Sequence, residues 1–140
     1  MTDLPDSSPR NALKRKPARA KQHRTAGPYS PVLEIDARHL VVISGQVAVD
    51  MDGKVVGQTI EEQTEATLNN CARQLASADC TFSNVFKVNI YLKDLDHWAR
   101  FNAVYQSMFS DPLPVRTAVQ AVLLPGFMVE IEMWAVKSED

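Results

Sequence analysis

Two short apolar runs near the C-terminus, separated by a Pro-Gly break, constrain the fold of this chain most. The first is Pro114-Val115-Arg116-Thr117-Ala118-Val119, and the second is Leu124-Pro125-Gly126-Phe127-Met128-Val129-Glu130-Ile131-Glu132. Apolar runs interrupted in this way are typical of two neighbouring strands and their connection. Since side chains alternate along a strand, Glu130 and Glu132 share one face with Trp134, and the apolar residues between them share the other.

Arg116 is a charged residue within the first apolar run, a position where a buried sheet disfavours charge. One interpretation is a structural ion pair or a wet sheet face. The other is an anion site, because a guanidinium binds a carboxylate through two parallel hydrogen bonds. Charge-assisted hydrogen bonds are each worth roughly 1.5–3 kcal/mol, enough to favour acids over neutral analogues. The spacing of the residues alone leaves both interpretations open.

Composition predicts a single domain without metal or disulfides. The chain has 140 residues, of which 45% are hydrophobic, so it is long enough for one core. Cys71 and Cys80 form no Cys-x-x-Cys pair, and the three histidines are too far apart in sequence for a typical zinc site. No apolar run approaches the ~18–20 residues of a membrane span, and no signal-peptide core follows Met1. We therefore expect a cytoplasmic protein with reduced thiols and no membrane association.

The charge is unevenly distributed along the chain. Residues 1–25 carry seven Lys or Arg against two Asp, a net charge of +5, whereas the remainder carries eight against fifteen acidic residues, a net charge of −7. We expect residues 1–21 to form a flexible basic tail and residues 22–140 to form the domain. The acidic domain disfavours nucleic-acid binding, so any contact with RNA would come from the tail. A solvated tail without a specific role is the favoured interpretation.

The pattern of the chain predicts a βββαβαββ order. Strands are expected at residues 32–35, 40–44, 47–51 and 85–92, before the two C-terminal ones. Thr59 and Glu62 form a capping box at the start of a helix of about twenty residues. A second helix carries an aromatic stripe of Trp98, Phe101, Tyr105 and Phe109, which is typical of a core. We therefore predict an α+β fold, with a six-stranded mixed sheet covered by two helices on one face and available for oligomerisation on the other.

Several motifs occur in an order that resembles one known family. They are Gly27-Pro28-Tyr29-Ser30, Ile43-Ser44-Gly45-Gln46, Lys93-Asp94-Leu95, Phe101-Asn102-Ala103-Val104-Tyr105 and the two C-terminal runs. Together they resemble the RidA/YjgF family of reactive-intermediate deaminases over residues 27–136. The resemblance implies a chorismate-mutase-like α+β fold and a homotrimer with three clefts between subunits.

The resemblance also implies a reaction. Arg116 would bind the carboxylate of a small 2-imino acid such as 2-iminopropanoate or 2-iminobutanoate, and Glu130 would hold and activate the attacking water. Tyr29, Ser44, Gly45 and Asn102 would line the cleft. The products would be a 2-oxo acid and ammonia, with no metal or organic cofactor required. The biological role would be the removal of reactive enamines and imines released by pyridoxal-phosphate enzymes.

Other functions stay open at this point. Val115, Pro31 and Ala118 depart from the usual family pattern, which leaves the substrate open. One alternative is a pathway-specific deaminase that acts on an aminoacrylate or an aminomuconate. Another is a binding protein, because members of the family have been described as endoribonucleases, translation inhibitors and chaperone-like proteins. The basic tail is the feature that favours RNA.

Overall fold

The computed structural model describes residues 12–24 and 27–138. Two one-turn 3-10 helices span Phe82–Asn84 and Leu95–His97. The main elements are, in chain order, β1 (Lys14–Arg15), β2 (Glu34–Ile35), β3 (His39–Gln46), α1 (Ile60–Ala76), β4 (Val85–Leu92), α2 (Trp98–Gln106), β5 (Val115–Gln120) and β6 (Val129–Lys137).

The main sheet has four strands in the order β3-β6-β4-β5. Strand β6 pairs antiparallel with β3 and β4, and β5 runs parallel to β4. The sheet is therefore mixed, and both helices lie on one of its faces, which confirms the predicted α+β fold. The main sheet has four strands and not the expected six. One reason is that β2 pairs with β1 in a separate two-stranded sheet.

The segment 47–51 contributes only an isolated bridge between Val49 and Val55. Its backbone carbonyls are taken by a helix side chain, since Asn70 Nδ2 donates to the carbonyls of Val47 and Val49, each at 2.9 Å. The carboxylate of Asp50 accepts from two backbone amides and closes a tight turn immediately afterwards. These two contacts explain why an apolar segment that resembles a strand does not extend the sheet.

Helix α1 begins with the predicted capping box. Thr59 Oγ1 accepts from the amide of Glu62 at 3.1 Å, and Glu62 Oε1 accepts from the amide of Thr59 at 3.2 Å. Behind the cap, a fully buried stripe packs on the sheet, and it consists of Ile60, Leu68, Cys71 and Leu75. Burial raises the pKa of the Cys71 thiol to about 12, so this cysteine is a neutral core residue at physiological pH.

The side chains of the central strand β6 alternate between two faces of the sheet, a face covered by the helices and an opposite face that we call the open face. Val129, Ile131 and Met133 are fully buried beneath the helices. Glu130, Glu132 and Trp134 alternate with them and therefore point to the opposite face. Large apolar side chains are exposed on this open face, among them Leu40, Val42 and Trp134.

Part of the predicted flexible tail makes contacts with the domain. Residues 12–15, here called the N-terminal strap, include β1, and Lys14 is only 8% exposed. Lys14 Nζ donates to the carbonyls of Val85 at 2.6 Å and Pro112 at 3.1 Å. These bonds provide acceptors for an ammonium whose stem is buried, so the strap contacts the domain. Residues 1–11 of the predicted tail lie outside the described residues.

Among residues 12–24 and 27–138, no helix combines the length and apolar character needed to cross a bilayer.

The burial of Lys14 predicts a specific pH dependence of stability. Burial lowers the pKa of Lys14 from 10.5 to about 8 in the folded protein. Between these two pH values the unfolded chain binds more protons, so the free energy of unfolding rises with pH. From pH 8 to 10.5, the free energy of unfolding of wild type is therefore expected to rise by about 1–3 kcal/mol relative to that of Lys14→Met. This range corresponds to ~1.36 kcal/mol per pKa unit.

Urea unfolding at a series of pH values measures this difference. The matched control is Lys16→Met, because Lys16 is exposed in the same segment. A constant difference across the pH range would show that Lys14 is charged and solvated in the folded protein.

Candidate active site

Arg116 lies in β5, beside Val88 of β4, with its side chain on the covered face of the sheet. Three aromatic rings surround its guanidinium carbon, with centroids at 5.5 Å for Tyr29, 4.9 Å for Trp98 and 4.8 Å for Tyr105. These distances fit cation–π contacts. Burial lowers the pKa of the guanidinium, which nevertheless keeps its charge because that pKa starts so far above neutrality.

The guanidinium of Arg116 has an unused hydrogen-bond donor. Its Nη1 donates to Asn102 Oδ1 at 2.7 Å, whereas its Nη2 is buried and has no acceptor among the described residues. Gly27 makes room for this nitrogen, since a Cβ at that position would lie 3.1 Å from it. A buried N–H of a charged group without an acceptor is costly, so the arrangement favours an anionic ligand at this point.

Backbone hydrogen bonds of Tyr29 and its neighbour fix the segment that places the Tyr29 ring over Arg116. The Tyr29 amide donates to the carbonyl of Gly27 at 2.8 Å, and Gln22 Nε2 donates to the carbonyl of Tyr29 at 2.8 Å. The next amide, of Ser30, donates to the carbonyl of Pro114 at 3.1 Å. The segment that carries Tyr29 is therefore attached to the chain immediately before β5. Arg116, Asn102 and Tyr29 form what we call the arginine half of the site.

The two glutamates of β6 have different surroundings, which sequence periodicity did not distinguish. Glu132 Oε1 accepts from Asn89 Nδ2 at 3.1 Å and from Tyr91 Oη at 2.7 Å. The bond to Glu132 raises the pKa of Tyr91, so this tyrosine stays a donor. The carboxylate of Glu130 has no hydrogen-bond or ion-pair partner within the part of the chain that the structure describes. Glu130 is thus the carboxylate available to a ligand or a water.

Gly45 and Ser44 lie next to Glu130 on the open face. The pairing of β3 with β6 is irregular between Ile43 and Gln46, and this irregularity brings Gly45 close to β6. A Cβ on Gly45 would collide with the Glu130 carboxylate, so the glycine leaves the space that this side chain occupies. Ser44 is exposed beside it. Glu130, Gly45 and Ser44 form what we call the glutamate half.

The two halves lie on opposite faces of one sheet. Arg116 is level with Val88 on the covered face, whereas Glu130 is level with Tyr91 on the open face. Three residues along the strands and two strand spacings separate them, about 10 Å in each direction. A single copy therefore brings together Arg116, Asn102 and Tyr29 but does not join them to Glu130, Gly45 and Ser44.

Sequence reasoning missed two of the rings around Arg116. Trp98 and Tyr105 were assigned to a core stripe, and Tyr105 is indeed fully buried. Both rings contact the guanidinium, on either side of the Asn102 that binds it. The signal was present in the sequence, because residues 98, 102 and 105 recur at spacings of four and three and so share one helix face.

In residues 12–24 and 27–138, no group of three or more His, Cys, Asp or Glu side chains is placed to hold a metal ion.

Comparisons with known proteins identify relatives along most of the chain. Residues 20–137 match the model of the family described as "Endoribonuclease L-PSP". The chain is 37% identical over 113 residues to the mouse 2-iminobutanoate/2-iminopropanoate deaminase, covering 79% of this chain and 82% of the relative. It is also 37% identical over 129 residues to "Protein mmf2, mitochondrial" of Schizosaccharomyces pombe, covering 89% of this chain and 100% of the relative.

Solved structures agree with these sequence matches. A putative endoribonuclease from Thermotoga maritima superposes with a TM-score of 0.68 at 34% identity, covering 81% of this chain and 90% of that one. Yeast Mmf1 gives a TM-score of 0.67 at 33% identity, again covering 81% and 90%. The matched residues include both halves of the candidate site. The chain belongs to the RidA/YjgF family, whose model carries the L-PSP description.

Proposed function

We propose that this protein hydrolyses small 2-imino acids, such as 2-iminopropanoate and 2-iminobutanoate, to 2-oxo acids and ammonia. The observation that carries the proposal is the guanidinium of Arg116, which is enclosed by aromatic rings and whose buried Nη2 has no acceptor in the part of the chain that the structure describes. The mouse, bovine and human relatives at 32–37% identity are named 2-iminobutanoate/2-iminopropanoate deaminases, which supports the same reaction.

Arg116 binds the carboxylate of the substrate. Asn102 occupies Nη1 and so fixes the rotation of the guanidinium plane, leaving Nη2 to donate to a carboxylate oxygen. The surrounding rings exclude water, which strengthens a charge-assisted hydrogen bond. An imine without a carboxylate would leave this buried donor unsatisfied, so the site selects 2-imino acids over neutral imines.

Glu130 holds the attacking water and accepts its proton. The water oxygen forms a bond to the carbon of the protonated imine as the C=N double bond becomes a single bond and Glu130 takes a water proton, giving a neutral carbinolamine. Glu130 then gives that proton to the nitrogen, and the C–N bond breaks to release ammonia while the Glu130 carboxylate takes the hydroxyl proton as the C=O bond forms. The last proton leaves with ammonia as ammonium, which restores the carboxylate. These steps require proximity and general acid–base catalysis by one carboxylate.

The separation of the two halves supports a site shared between copies of the chain. In our proposal the arginine half of one subunit faces the glutamate half of the next, and three subunits form a homotrimer with three clefts. The open sheet face exposes Leu40 at 51%, Val42 at 60% and Trp134 at 38%, an apolar surface that self-association would bury.

A pathway-specific deaminase is the nearest alternative. It would use the same carboxylate-binding and water-holding residues, so the two proposals differ only in the substrate. A panel of imino acids, including an aminoacrylate, distinguishes them by kcat/KM.

Two glutamate variants and one arginine variant test the proposed function. With imino acids generated in situ, Glu130→Gln is expected to lower kcat by about 100-fold or more, because general base catalysis contributes ~10²–10⁴-fold. The matched control Glu132→Gln keeps an oxygen that accepts from Tyr91 and should stay within about threefold of wild type. Arg116→Lys is expected to raise KM by about 10- to 100-fold, since an ammonium lacks the planar fork.

Release of 2-oxo acid and of ammonia measures all three variants. Equal losses in the two glutamate variants would contradict the role of Glu130. A folded wild-type protein that does not accelerate hydrolysis of any member of the panel would contradict the function itself.

Gly45→Ala tests the space beside Glu130. The added methyl group would displace the carboxylate, so kcat is expected to fall about tenfold or more, as misplaced catalytic groups do. The free energy of unfolding should change by less than about 1 kcal/mol, because the contact is with the far end of a flexible side chain. The double variant Gly45→Ala/Glu130→Gln should be no slower than Glu130→Gln alone. Full additivity in kcat would show that Gly45 acts independently of Glu130.

A further inference from the structure

The N-terminal strap, residues 12–15, lies outside the residues that match the family model, which begin at 20. It is nevertheless attached to the domain by several contacts. The carbonyl of Leu13 accepts from the amide of Asp36 at 2.8 Å, and Arg15 forms an exposed ion pair with Glu34 at 3.2 Å. The most buried contact is made by Lys14, whose ammonium donates to two backbone carbonyls.

The two carbonyls lie where two parallel strands begin. Val85 is the first residue of β4, and Pro112 lies three residues before β5. The ladder between these strands starts only at Lys87 and Val115. Lys14 therefore joins the two strand starts at a level where the strands make no hydrogen bonds to each other.

The chain between α2 and β5 is fixed at two points. Lys14 binds the carbonyl of Pro112, and the amide of Ser30 binds the carbonyl of Pro114. Two residues after Pro114 is Arg116, and one residue before Ser30 is Tyr29, whose ring covers the guanidinium. Through Lys14, the strap thus binds the segment that leads from Pro112 to Arg116, the central residue of the arginine half.

Lys14 is buried by its surroundings but has carbonyls, not a carboxylate, as its partners. Within the described residues Lys14 makes no ion pair, and the nearby Asp111 only lines the same cavity. Burial without a carboxylate partner lowers the pKa of the amine, which is the sign of a charge that costs free energy to bury. A buried charge that binds the segment leading to Arg116 is a candidate for a functional role.

We propose that Lys14 is a positioning residue, which fixes the segment before β5 and thereby holds Arg116 where it binds the substrate carboxylate. The catalytic consequence rests on the proposed function. The structural consequence does not, because it concerns only the attachment of residues 110–116. The hydrogen bonds of Lys14 reach the segment before Arg116 and the first residue of β4, and neither bond is made to Glu130, Gly45 or Ser44.

Steady-state kinetics with imino acids test the catalytic consequence. Lys14→Met keeps the length of the side chain and removes its donors, and Lys16→Met is the matched control at an exposed position of the same segment. Lys14→Met is expected to raise KM about five- to twentyfold and to leave kcat within about twofold, because carboxylate binding alone is disturbed. Lys16→Met should match wild type. An unchanged KM in folded Lys14→Met, or a loss confined to kcat, would overturn the proposal.

Amide hydrogen exchange tests the structural consequence independently of activity. Peptides that cover residues 112–118 should exchange faster in Lys14→Met than in wild type and in Lys16→Met, while peptides of β6 exchange equally in all three. Equal exchange in residues 112–118 would overturn the proposal. A wild-type protein without imine hydrolysis would contradict the proposed function, and the exchange result would still decide the role of the strap.

Lys14→Gln provides a second variant if Lys14→Met does not fold. Its NH₂ group retains donors for a carbonyl, so both KM and exchange of residues 112–118 should fall between wild type and the values expected for Lys14→Met. A Lys14→Gln protein identical to wild type in both measurements would overturn the proposal.

Discussion

The alternation of side chains along β6 is the constraint on which the rest of the structure depends. This strand pairs with a neighbour on each side, so its two faces are fixed by the backbone ladder. Val129, Ile131 and Met133 are buried under the helices, which directs Glu130 and Glu132 to the face opposite α1 and α2. The alternation of β6 therefore builds the core with one set of side chains and places Glu130, the carboxylate of our proposal, on the opposite face.

Arg116 provides the second charged group of the candidate site, and its guanidinium is enclosed on the covered face. Aromatic rings and Asn102 hold its guanidinium on the covered face, and its Nη2 has no acceptor among residues 12–24 and 27–138. In the proposed function, the carboxylate-binding Arg116 and the proton-accepting Glu130 lie on opposite faces of the same sheet. This geometry keeps the two opposite charges of one chain from pairing with each other, and in our proposal a second copy completes the site that uses both.

Much of the fold follows from local sequence signals. The capping box at Thr59 and the alternation of β6 depend on residues a few positions apart, and both were predicted correctly. The features that escaped prediction depend on distant partners. Asn70 takes the carbonyls that would have extended strand 47–51, and Lys14 binds carbonyls 71 and 98 positions away in sequence. Alternation also gives the faces only within one strand, so the opposite placement of Arg116 and Glu130 required the register across β4.

Activity of mixed subunits tests the central claim of a shared site most directly. Arg116→Ala and Glu130→Gln are each expected to be nearly inactive alone, and equal amounts are unfolded together and refolded so that subunits mix. If each site takes Arg116 from one copy and Glu130 from another, random mixing restores both residues in about a quarter of the sites, and about a quarter of wild-type activity returns. Mixed oligomers, verified by native mass spectrometry, that stay as inactive as either variant alone would contradict the shared site.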